Sequence, residues 1–213
     1  MLSGWLWQNL CLFVILLYSM ETKIITIDNV KTDASAIKAA AGILDGGGLV
    51  AFPTETVYGI GCMVSSEAIE RLDAVKNRPQ EKRYTLHIGD ESQLAEYVPV
   101  VGLRAKKLIS KVWPGPLTVV FQLNGEDLKK QREKLGDDCF EILYRDGSIG
   151  VRCPDDPVAG ALLSETKSAI VAPSANLAGE APATRWSEVE AVFSGKIDAI
   201  LVNNSGKKDG NFA

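Results

Sequence analysis

The sequence predicts an α/β protein, and three observations support this class. Short apolar segments such as Leu49–Phe52 and Ala169–Ala172 alternate along the chain with segments in which apolar residues recur at helical spacing. Proline and small polar residues follow several of these apolar segments, which is typical of strands that end at a ligand-binding cleft. The chain has 213 residues, 46% of them apolar and 23% charged, which is enough for one sizeable globular domain.

The predicted elements alternate between the two types along the chain. Strands are predicted at residues 23–27, 49–52, 84–88, 117–123, 148–151, 169–172 and 199–202. Helices are predicted at residues 33–45, 65–78, 90–97, 103–112, 125–138, 156–164 and 187–194. Ser187 and Glu190 fit a capping box at the start of the last helix. Gly59 and Gly61 are expected in a loop, where they would let the backbone turn sharply beside a ligand.

Three strand ends carry the polar residues that we expect to bind a ligand. They are Pro53-Thr54-Glu55-Thr56, Arg152-Cys153-Pro154 and Pro173-Ser174-Ala175-Asn176. Proline cannot continue a strand ladder, so each strand should end at its motif. In an α/β domain such ends can converge on one cleft. Each motif could also be an ordinary turn, because these residue types are common in turns.

Cations near these motifs point to a polyanionic ligand. Lys76, Arg78 and Lys82 add ammonium and guanidinium groups to the hydroxyls and the amide of the strand ends. Such a set suits phosphoryl or nucleotidyl transfer, where positioning and electrostatics dominate. The chain has neither a Walker A motif nor a GxGxxG motif, which excludes a standard nucleotide-binding loop. Alternatively, Lys76 and Arg78 only complement the dipole at the end of their helix.

Charge and cysteine content exclude other classes. The net charge of −4 argues against a generally basic protein that coats nucleic acid. The four cysteines form no CxxC pair, which favours a reduced intracellular setting, and we expect the cytoplasm. The single histidine, His87, excludes a multi-histidine metal site within this chain.

The first 19 residues differ from the rest of the chain. They are largely apolar, and the first charged side chain is Glu21. Residues 1–19 are interpreted either as an extension upstream of a true start at Met20 or as a signal or anchor segment. The apolar run Leu10–Tyr18 is short for a membrane span, so we do not expect a membrane partner. Residues 20–213 are predicted to form the domain.

Five motifs occur in an order that resembles the YrdC-like threonylcarbamoyl-adenylate synthases. The resemblance covers about residues 22–202 and implies a single domain with a twisted mixed sheet, flanked by helices around a concave basic cleft. The motifs are Pro53-Thr54-Glu55-Thr56-Val57-Tyr58-Gly59, Lys76-Asn77-Arg78-Pro79, Trp113-Pro114-Gly115-Pro116-Leu117-Thr118, Gly150-Val151-Arg152-Cys153-Pro154 and Ala172-Pro173-Ser174-Ala175-Asn176.

The resemblance also implies a reaction. L-threonine, bicarbonate and ATP, the last with Mg²⁺, would give threonylcarbamoyl-adenylate and pyrophosphate. The product would pass to the transferase machinery that modifies adenosine 37 of tRNA.

Site residues follow from the resemblance position by position. Those implied to bind threonine are Thr56, His87, Arg152 and Ser174. Those implied to bind ATP are Lys76, Arg78, Lys82, Ser148, Asn176 and Thr184. No residue is assigned as a catalytic acid or base, and none as a metal ligand.

The chain departs from the family pattern in two places that concern the cleft. Arg83-Tyr84 replaces a usual Pro-Leu pair, which is expected to reshape the edge of the pocket. The chain reaches Ala213 before a Ser-Thr-Ile/Val stretch that would help to close over substrate, so we expect the domain to lack its C-terminal end.

Two other functions stay open at this point. An RNA-binding module of the same fold could use the basic cleft without turnover, although the overall acidity counts against broad RNA affinity. A related carbamoyl-adenylate step is performed by a similar domain of hydrogenase-maturation carbamoyltransferases. That domain normally sits in a longer chain with zinc-finger-like cysteines, which this sequence lacks.

Overall fold

The computed structural model describes residues 21–79 and 82–204, and eight strands within these residues form one mixed sheet. The strands are β1 (Lys23–Ile27), β2 (Val50–Phe52), β3 (Gly59–Met63), β4 (Thr85–His87), β5 (Val119–Gln122), β6 (Ser148–Arg152), β7 (Ile170–Val171) and β8 (Ala199–Asn203). Their order across the sheet is β1-β8-β2-β3-β7-β4-β6-β5. β1, β8 and β2 run parallel, as do β4 and β6, and the other neighbours are antiparallel. The predicted α/β class with a mixed sheet is confirmed.

Helices connect the strands. They are α1 (Ala34–Asp45), α2 (Ser66–Lys76), α3 (Leu94–Tyr97), α4 (Leu103–Val112), α5 (Gly125–Leu135), α6 (Asp137–Leu143), α7 (Pro157–Glu165) and α8 (Trp186–Phe193). A 3₁₀ turn, Glu91–Gln93, precedes α3. No helix of the described residues is long and apolar enough to cross a membrane.

The sheet separates two cores. Alternate residues of a strand point to opposite faces, and on β2 Val50 packs in one core while Ala51 packs in the other. α1 and α7 cover one face, over β1, β8, β2 and β7. The second core includes residues of α2, α4, α6 and α8 on the other face. Because β4 and β6 contribute nothing to the first core, their side of that face is left open for a cavity.

α2 places the basic motif. Ser65 caps its start, where the Ser65 hydroxyl accepts a hydrogen bond from the Ala68 amide (3.3 Å). The helix ends at Asn77, whose left-handed backbone (φ 50°) stops the helical ladder. Lys76 and Arg78 therefore lie on the last turn and just beyond it, close to β4.

Two local predictions are wrong. Gly59 and Gly61 lie in β3, not in a loop, and a Cβ on Gly61 would stand 2.8 Å from the Phe52 ring, so glycine permits close strand packing there. The last helix begins at Trp186, and Glu188 accepts the Thr184 amide (2.8 Å) before it. The capping box is formed by Arg185 and Glu188, two residues before the predicted pair Ser187 and Glu190.

The predicted N-terminal extension, residues 1–19, lies outside the described residues. The predicted lack of a C-terminal end concerns residues 205–213 and beyond, which also lie outside them. The division of the chain into 1–19 and 20–213 therefore stays a prediction.

Candidate active site

A cavity of about 220 Å³ lies on the open part of the sheet face, over β4 and β6. His87 and Arg152 are direct neighbours in the β4–β6 ladder, and Thr85 stands opposite Gly150 two residues earlier, so these four positions share one face. The cavity is lined by Arg78, Arg83, His87, Thr118, Arg152 and Ser174, among others. Residues from four of the five sequence motifs belong to this lining.

The loop after β2 is fixed from within by Thr54. Its side chain is buried, and its hydroxyl donates to the Val57 carbonyl (2.7 Å). The same hydroxyl accepts the amides of Thr56 (3.2 Å) and Val57 (3.3 Å). Thr54 is thus a turn residue, and it presents Glu55 and Thr56 towards Arg152.

Arg152 is held on one side only. Its Nη2 donates to Glu55 Oε1 (2.8 Å) and to Thr56 Oγ1 (2.9 Å), and the Arg152 and Glu55 side chains are 17% and 15% exposed. Glu55 is fixed in turn, because its Oε2 accepts the Asp155 amide (3.1 Å). The Nε of Arg152 is buried and has no hydrogen-bond partner in the described part of the chain. The Arg152 side chain lines the cavity, and its positive charge favours an anionic ligand there.

His87 is a neutral acceptor at the cavity. Burial lowers its pKa to about 4; Thr85 opposes this shift and Arg152 adds to it. Its Nδ1 lies 3.0 Å from the Thr85 carbonyl oxygen, which can only accept, so Nδ1 carries the proton. Nε2 is then left as a hydrogen-bond acceptor.

Lys76 is buried beside the loop that follows β7. Its Nζ donates to the carbonyl oxygens of Ser174 and of Asn176, the latter at 2.5 Å. Burial, followed by the charges of Arg78 and Lys82, lowers the Lys76 pKa to about 8. An ammonium group has three donors, so one remains for a ligand.

Arg78 is fixed by aromatic and polar contacts at the other side of the cavity. Its guanidinium lies over the Tyr84 ring, 4.6 Å from the centroid, and its Nη2 donates to the Arg83 carbonyl (2.8 Å). Its Nε is buried and lies 3.6 Å from Asp73 Oδ1, which allows attraction but is too long for a hydrogen bond. The Tyr84 hydroxyl donates to the same Asp73 oxygen.

Ser174 and Asn176 form one unit in the loop after β7. The Ser174 hydroxyl donates to Asn176 Oδ1 (2.6 Å). The Asn176 amide nitrogen donates to the carbonyls of Leu177 (2.8 Å) and Glu180 (2.9 Å). Ser174 lines the cavity, while the Asn176 side chain shapes the loop that carries Ser174.

The predicted site residues divide into two groups. Arg78, His87, Arg152 and Ser174 line the cavity, and Thr56, Lys76, Ser148 and Asn176 each contact a residue of that lining. Lys82 and Thr184 are not part of that lining. The Ser148 hydroxyl bonds to Arg83 and to the Arg145 carbonyl, Lys82 is exposed, and Thr184 contacts Glu188 at the start of α8.

Sequence reasoning did not assign a role to Glu55, Arg83 or Tyr84. The signal for Glu55 was present, because a carboxylate between two threonines lies within a recognised motif. In the sequence, Arg83 and Tyr84 stand out only because they replace a Pro-Leu pair that is usual in the family. Their contacts with Asp73, Ser148 and Asp146 join distant parts of the chain.

The cysteines near the site are poor nucleophiles. Burial raises the pKa of Cys153 to about 11 and that of Cys62 to about 12, so both remain thiols at neutral pH. Among the residues that the structure describes, no group of three or more His, Cys, Asp or Glu side chains could hold a metal ion.

Comparison with known proteins identifies a matching family model and similar chains. The family model Sua5/YciO/YrdC, described as "Telomere recombination", matches residues 42–211. The threonylcarbamoyl-AMP synthase of Bacillus subtilis (strain 168) is 33% identical over 175 residues, which are 82% of this chain and 48% of that protein.

Two solved structures are similar in fold and sequence. Sua5 of P. abyssi, in complex with L-threonine, is 30% identical with a TM-score of 0.70, over 85% of this chain and 50% of that chain. YciO of E. coli is 25% identical with a TM-score of 0.67, over 86% and 84% of the two chains. The chain spans about half the length of the B. subtilis and P. abyssi proteins that it matches. The resemblance found in the sequence is confirmed: the chain belongs to the Sua5/YciO/YrdC family.

Proposed function

We propose that the protein is a threonylcarbamoyl-adenylate synthase, which converts L-threonine, bicarbonate and ATP into threonylcarbamoyl-AMP and pyrophosphate. One observation carries this proposal. Two arginines, Arg78 and Arg152, line the same cavity and give it two positive charges. Two anionic groups, a carboxylate and a phosphate, would satisfy them.

The threonine would bind at the Arg152 end. Its carboxylate would pair with the Arg152 guanidinium, whose Nη2 is held in place by Glu55 and Thr56. The neutral His87 and the hydroxyls of Thr56 and Ser174 would then hydrogen-bond to its hydroxyl and amine. The structure of P. abyssi Sua5 supports this ligand, because that related protein is complexed with L-threonine.

ATP would bind towards Arg78. The cavity of about 220 Å³ is smaller than the about 300–1,000 Å³ typical of drug-sized ligands, so part of the nucleotide would extend outside it. Lys76 and Arg78 would hold phosphates. Lys82, Ser148, Asn176 and Thr184 are the further nucleotide contacts that the resemblance implies, and Mg²⁺ would arrive as part of the MgATP substrate.

The residues of the chain would act mainly by positioning and by charge. The threonine amine would attack the carbon of bicarbonate, a C–O bond would break with loss of water to give a carbamate, and one carbamate oxygen would attack the α-phosphorus of ATP. The bond from the α-phosphorus to the bridging oxygen would break, and pyrophosphate would leave with the electron pair. Lys76 and Arg78 would offset the charge that develops on this leaving group. No general base of this chain is assigned.

The setting of the reaction is part of the proposal. We place the enzyme in the cytoplasm, where its adenylate product would pass to the transferase machinery that modifies adenosine 37 of tRNA. RNA binding without turnover is the competing function that the experiment below distinguishes.

The test is release of pyrophosphate from ATP by the whole chain, with L-threonine and bicarbonate each present or omitted. We expect release that requires both, together with a product of the mass of threonylcarbamoyl-AMP. Arg104→Ala removes a positive charge from an exposed position on α4 and should release pyrophosphate as the wild type does. It is the control for variants that remove a charge from the cavity. A folded protein that binds RNA but releases no pyrophosphate under any of these conditions would contradict the proposal.

A further inference from the structure

Arg83 occupies a position between two cavities. It lines the cavity of about 220 Å³ and a neighbouring one of about 240 Å³, and Tyr84 is the other residue common to both. Its main-chain carbonyl accepts the Arg78 Nη2 (2.8 Å), so the two arginines are joined at the place proposed for phosphate. The family pattern gave no role to a cation here.

The Arg83 guanidinium is directed at Ser148. Its Nη1 donates to Ser148 Oγ (3.0 Å), and the Ser148 hydroxyl donates to the Arg145 carbonyl (3.0 Å). The proton of this hydroxyl is thus committed, and one of its lone pairs is used by Arg83. Ser148 does not line the cavity, whereas Arg83 does. Arg83 therefore stands between the cavity and the serine that the resemblance implied as a nucleotide contact.

Arg83 Nη1 also donates weakly to the Arg145 carbonyl (3.4 Å), and the ion pair of Arg83 is easily exchanged. Nη2 forms an ion pair with Asp146, and the two side chains are 51% and 84% exposed. Exposed ion pairs of this kind contribute little to stability. A phosphate oxygen carries a similar charge and matches the guanidinium fork, so it can replace Asp146 without leaving a buried group unpaired.

We infer that Arg83 binds the phosphates of ATP, and that Ser148 is a positioning residue that holds the Arg83 side chain. When ATP binds, Arg83 exchanges Asp146 for a phosphate oxygen and keeps its hydrogen bond to Ser148. This inference rests on the proposed function for the identity of the nucleotide, and it assigns the chain a phosphate contact that the motifs did not supply.

The experiment compares four variants with the wild type: Arg83→Met, Ser148→Ala, the double variant and Asp146→Asn. The control is again Arg104→Ala, which removes the same charge from an exposed helix. Asp146 has a left-handed backbone (φ 51°), which asparagine tolerates well. ATP affinity is measured by calorimetry without threonine, and the Michaelis constants for ATP and threonine are measured separately. Urea unfolding checks that each variant is folded.

We expect Arg83→Met to weaken ATP binding about tenfold, the scale of a charge-assisted hydrogen bond, with less than about twofold change in the constant for threonine. Ser148→Ala should weaken ATP binding about threefold alone and not at all in the Arg83→Met background, because it acts through Arg83. Asp146→Asn should strengthen ATP binding about twofold, because it removes the competitor.

Three results would overturn the inference: unchanged ATP affinity in Arg83→Met, additive losses in the double variant, or weaker ATP binding in Asp146→Asn. A wild type that binds ATP but shows no threonine-dependent turnover would refute the proposed function, and the affinity data would still test Arg83. A wild type that turns over while Arg83→Met is unaffected would refute only the role of Arg83. A folded wild type that does not bind ATP would refute both.

Discussion

Arg152 and Arg83 line the same cavity, but their surroundings differ. The Arg152–Glu55 pair is mostly buried, and Glu55 is itself fixed by the Asp155 amide. The Arg83–Asp146 pair is largely exposed. A buried pair is rigid and costly to break, whereas an exposed pair contributes little and is exchanged readily. The comparison indicates that the end proposed for threonine is preorganised and that the end proposed for the nucleotide is adaptable.

The largest effect is expected at the preorganised end. Arg152→Lys keeps the charge but removes the planar fork that contacts Glu55, Thr56 and the proposed carboxylate together. Loss of charge-assisted hydrogen bonds worth about 3 kcal/mol should lower kcat/KM for threonine about 100-fold. Steady-state pyrophosphate release with varied threonine measures this change.

The matched control for this change is Arg185→Lys. Arg185 pairs with Glu188 at 4.0 Å, and both side chains are about half exposed, so the same substitution there should leave kinetics and stability within about 0.5 kcal/mol. If Arg152→Lys lowers the unfolding free energy but leaves the threonine constant unchanged, Arg152 is a structural ion pair and the comparison fails.

The second effect concerns Lys76 and pH. Its pKa of about 8 means that the ammonium form is lost as the pH rises through this value. ATP stays fully charged in this range, so its affinity should fall up to about tenfold between about pH 7 and about pH 9, the loss of one charged contact. Calorimetry with ATP alone avoids titration of the threonine amine.

Lys76→Met is the control for this step, because it should bind ATP weakly and without dependence on pH. The effect of rising pH on the free energy of unfolding has the opposite sign to its effect on ATP affinity. The pKa is lower in the folded state than the ordinary 10.5, so the unfolded chain binds more protons between about pH 8 and 10.5. The contribution of Lys76 to stability therefore rises with pH in this window. An ATP affinity that falls equally in Lys76→Met would assign the step to another group.

Most of the fold could be predicted from the sequence because its strands are short apolar runs with clear ends. β3 was missed for a physical reason. Glycine has a low strand propensity, and only the tertiary structure reveals that Gly61 packs against the Phe52 ring, where a Cβ would stand 2.8 Å away. The helix predicted at residues 65–78 corresponds to α2, which Ser65 caps.

Those residues of the candidate site that lie within short sequence motifs could be predicted, whereas contacts between distant residues could not. Thr56, Arg152 and Ser174 stand out as polar residues at strand ends, and the family resemblance adds His87. The structure brings all four to one cavity or its wall. Partnerships between distant residues could not be read from the sequence. Glu55 and Arg152 are 97 residues apart.

A third effect tests whether His87 acts as a neutral acceptor. With a pKa of about 4, it should not titrate between about pH 5.5 and about pH 7.5. His87→Leu removes one neutral hydrogen bond to the threonine hydroxyl, so preference for threonine over 2-aminobutyrate should fall about fivefold. The measurement is the ratio of kcat/KM for the two amino acids. A wild-type inflection near pH 6.5 that disappears in the variant would contradict a neutral His87.

The smallest effect is a difference in salt dependence between the two ends. The Debye length falls from about 10 Å at 0.1 M salt to about 3 Å at 1 M, and buried pairs are screened much less than exposed ones. The Michaelis constant for ATP should therefore rise about threefold over this range, whereas that for threonine should change less than about 1.5-fold. In Arg83→Met the Michaelis constant for ATP should depend less on salt, because the variant lacks a half-exposed cation at the end proposed for the nucleotide. Equal salt dependence for the two substrates would mean that Arg152 is as accessible to solvent ions as Arg83, and the distinction between a rigid end and an adaptable end would not hold.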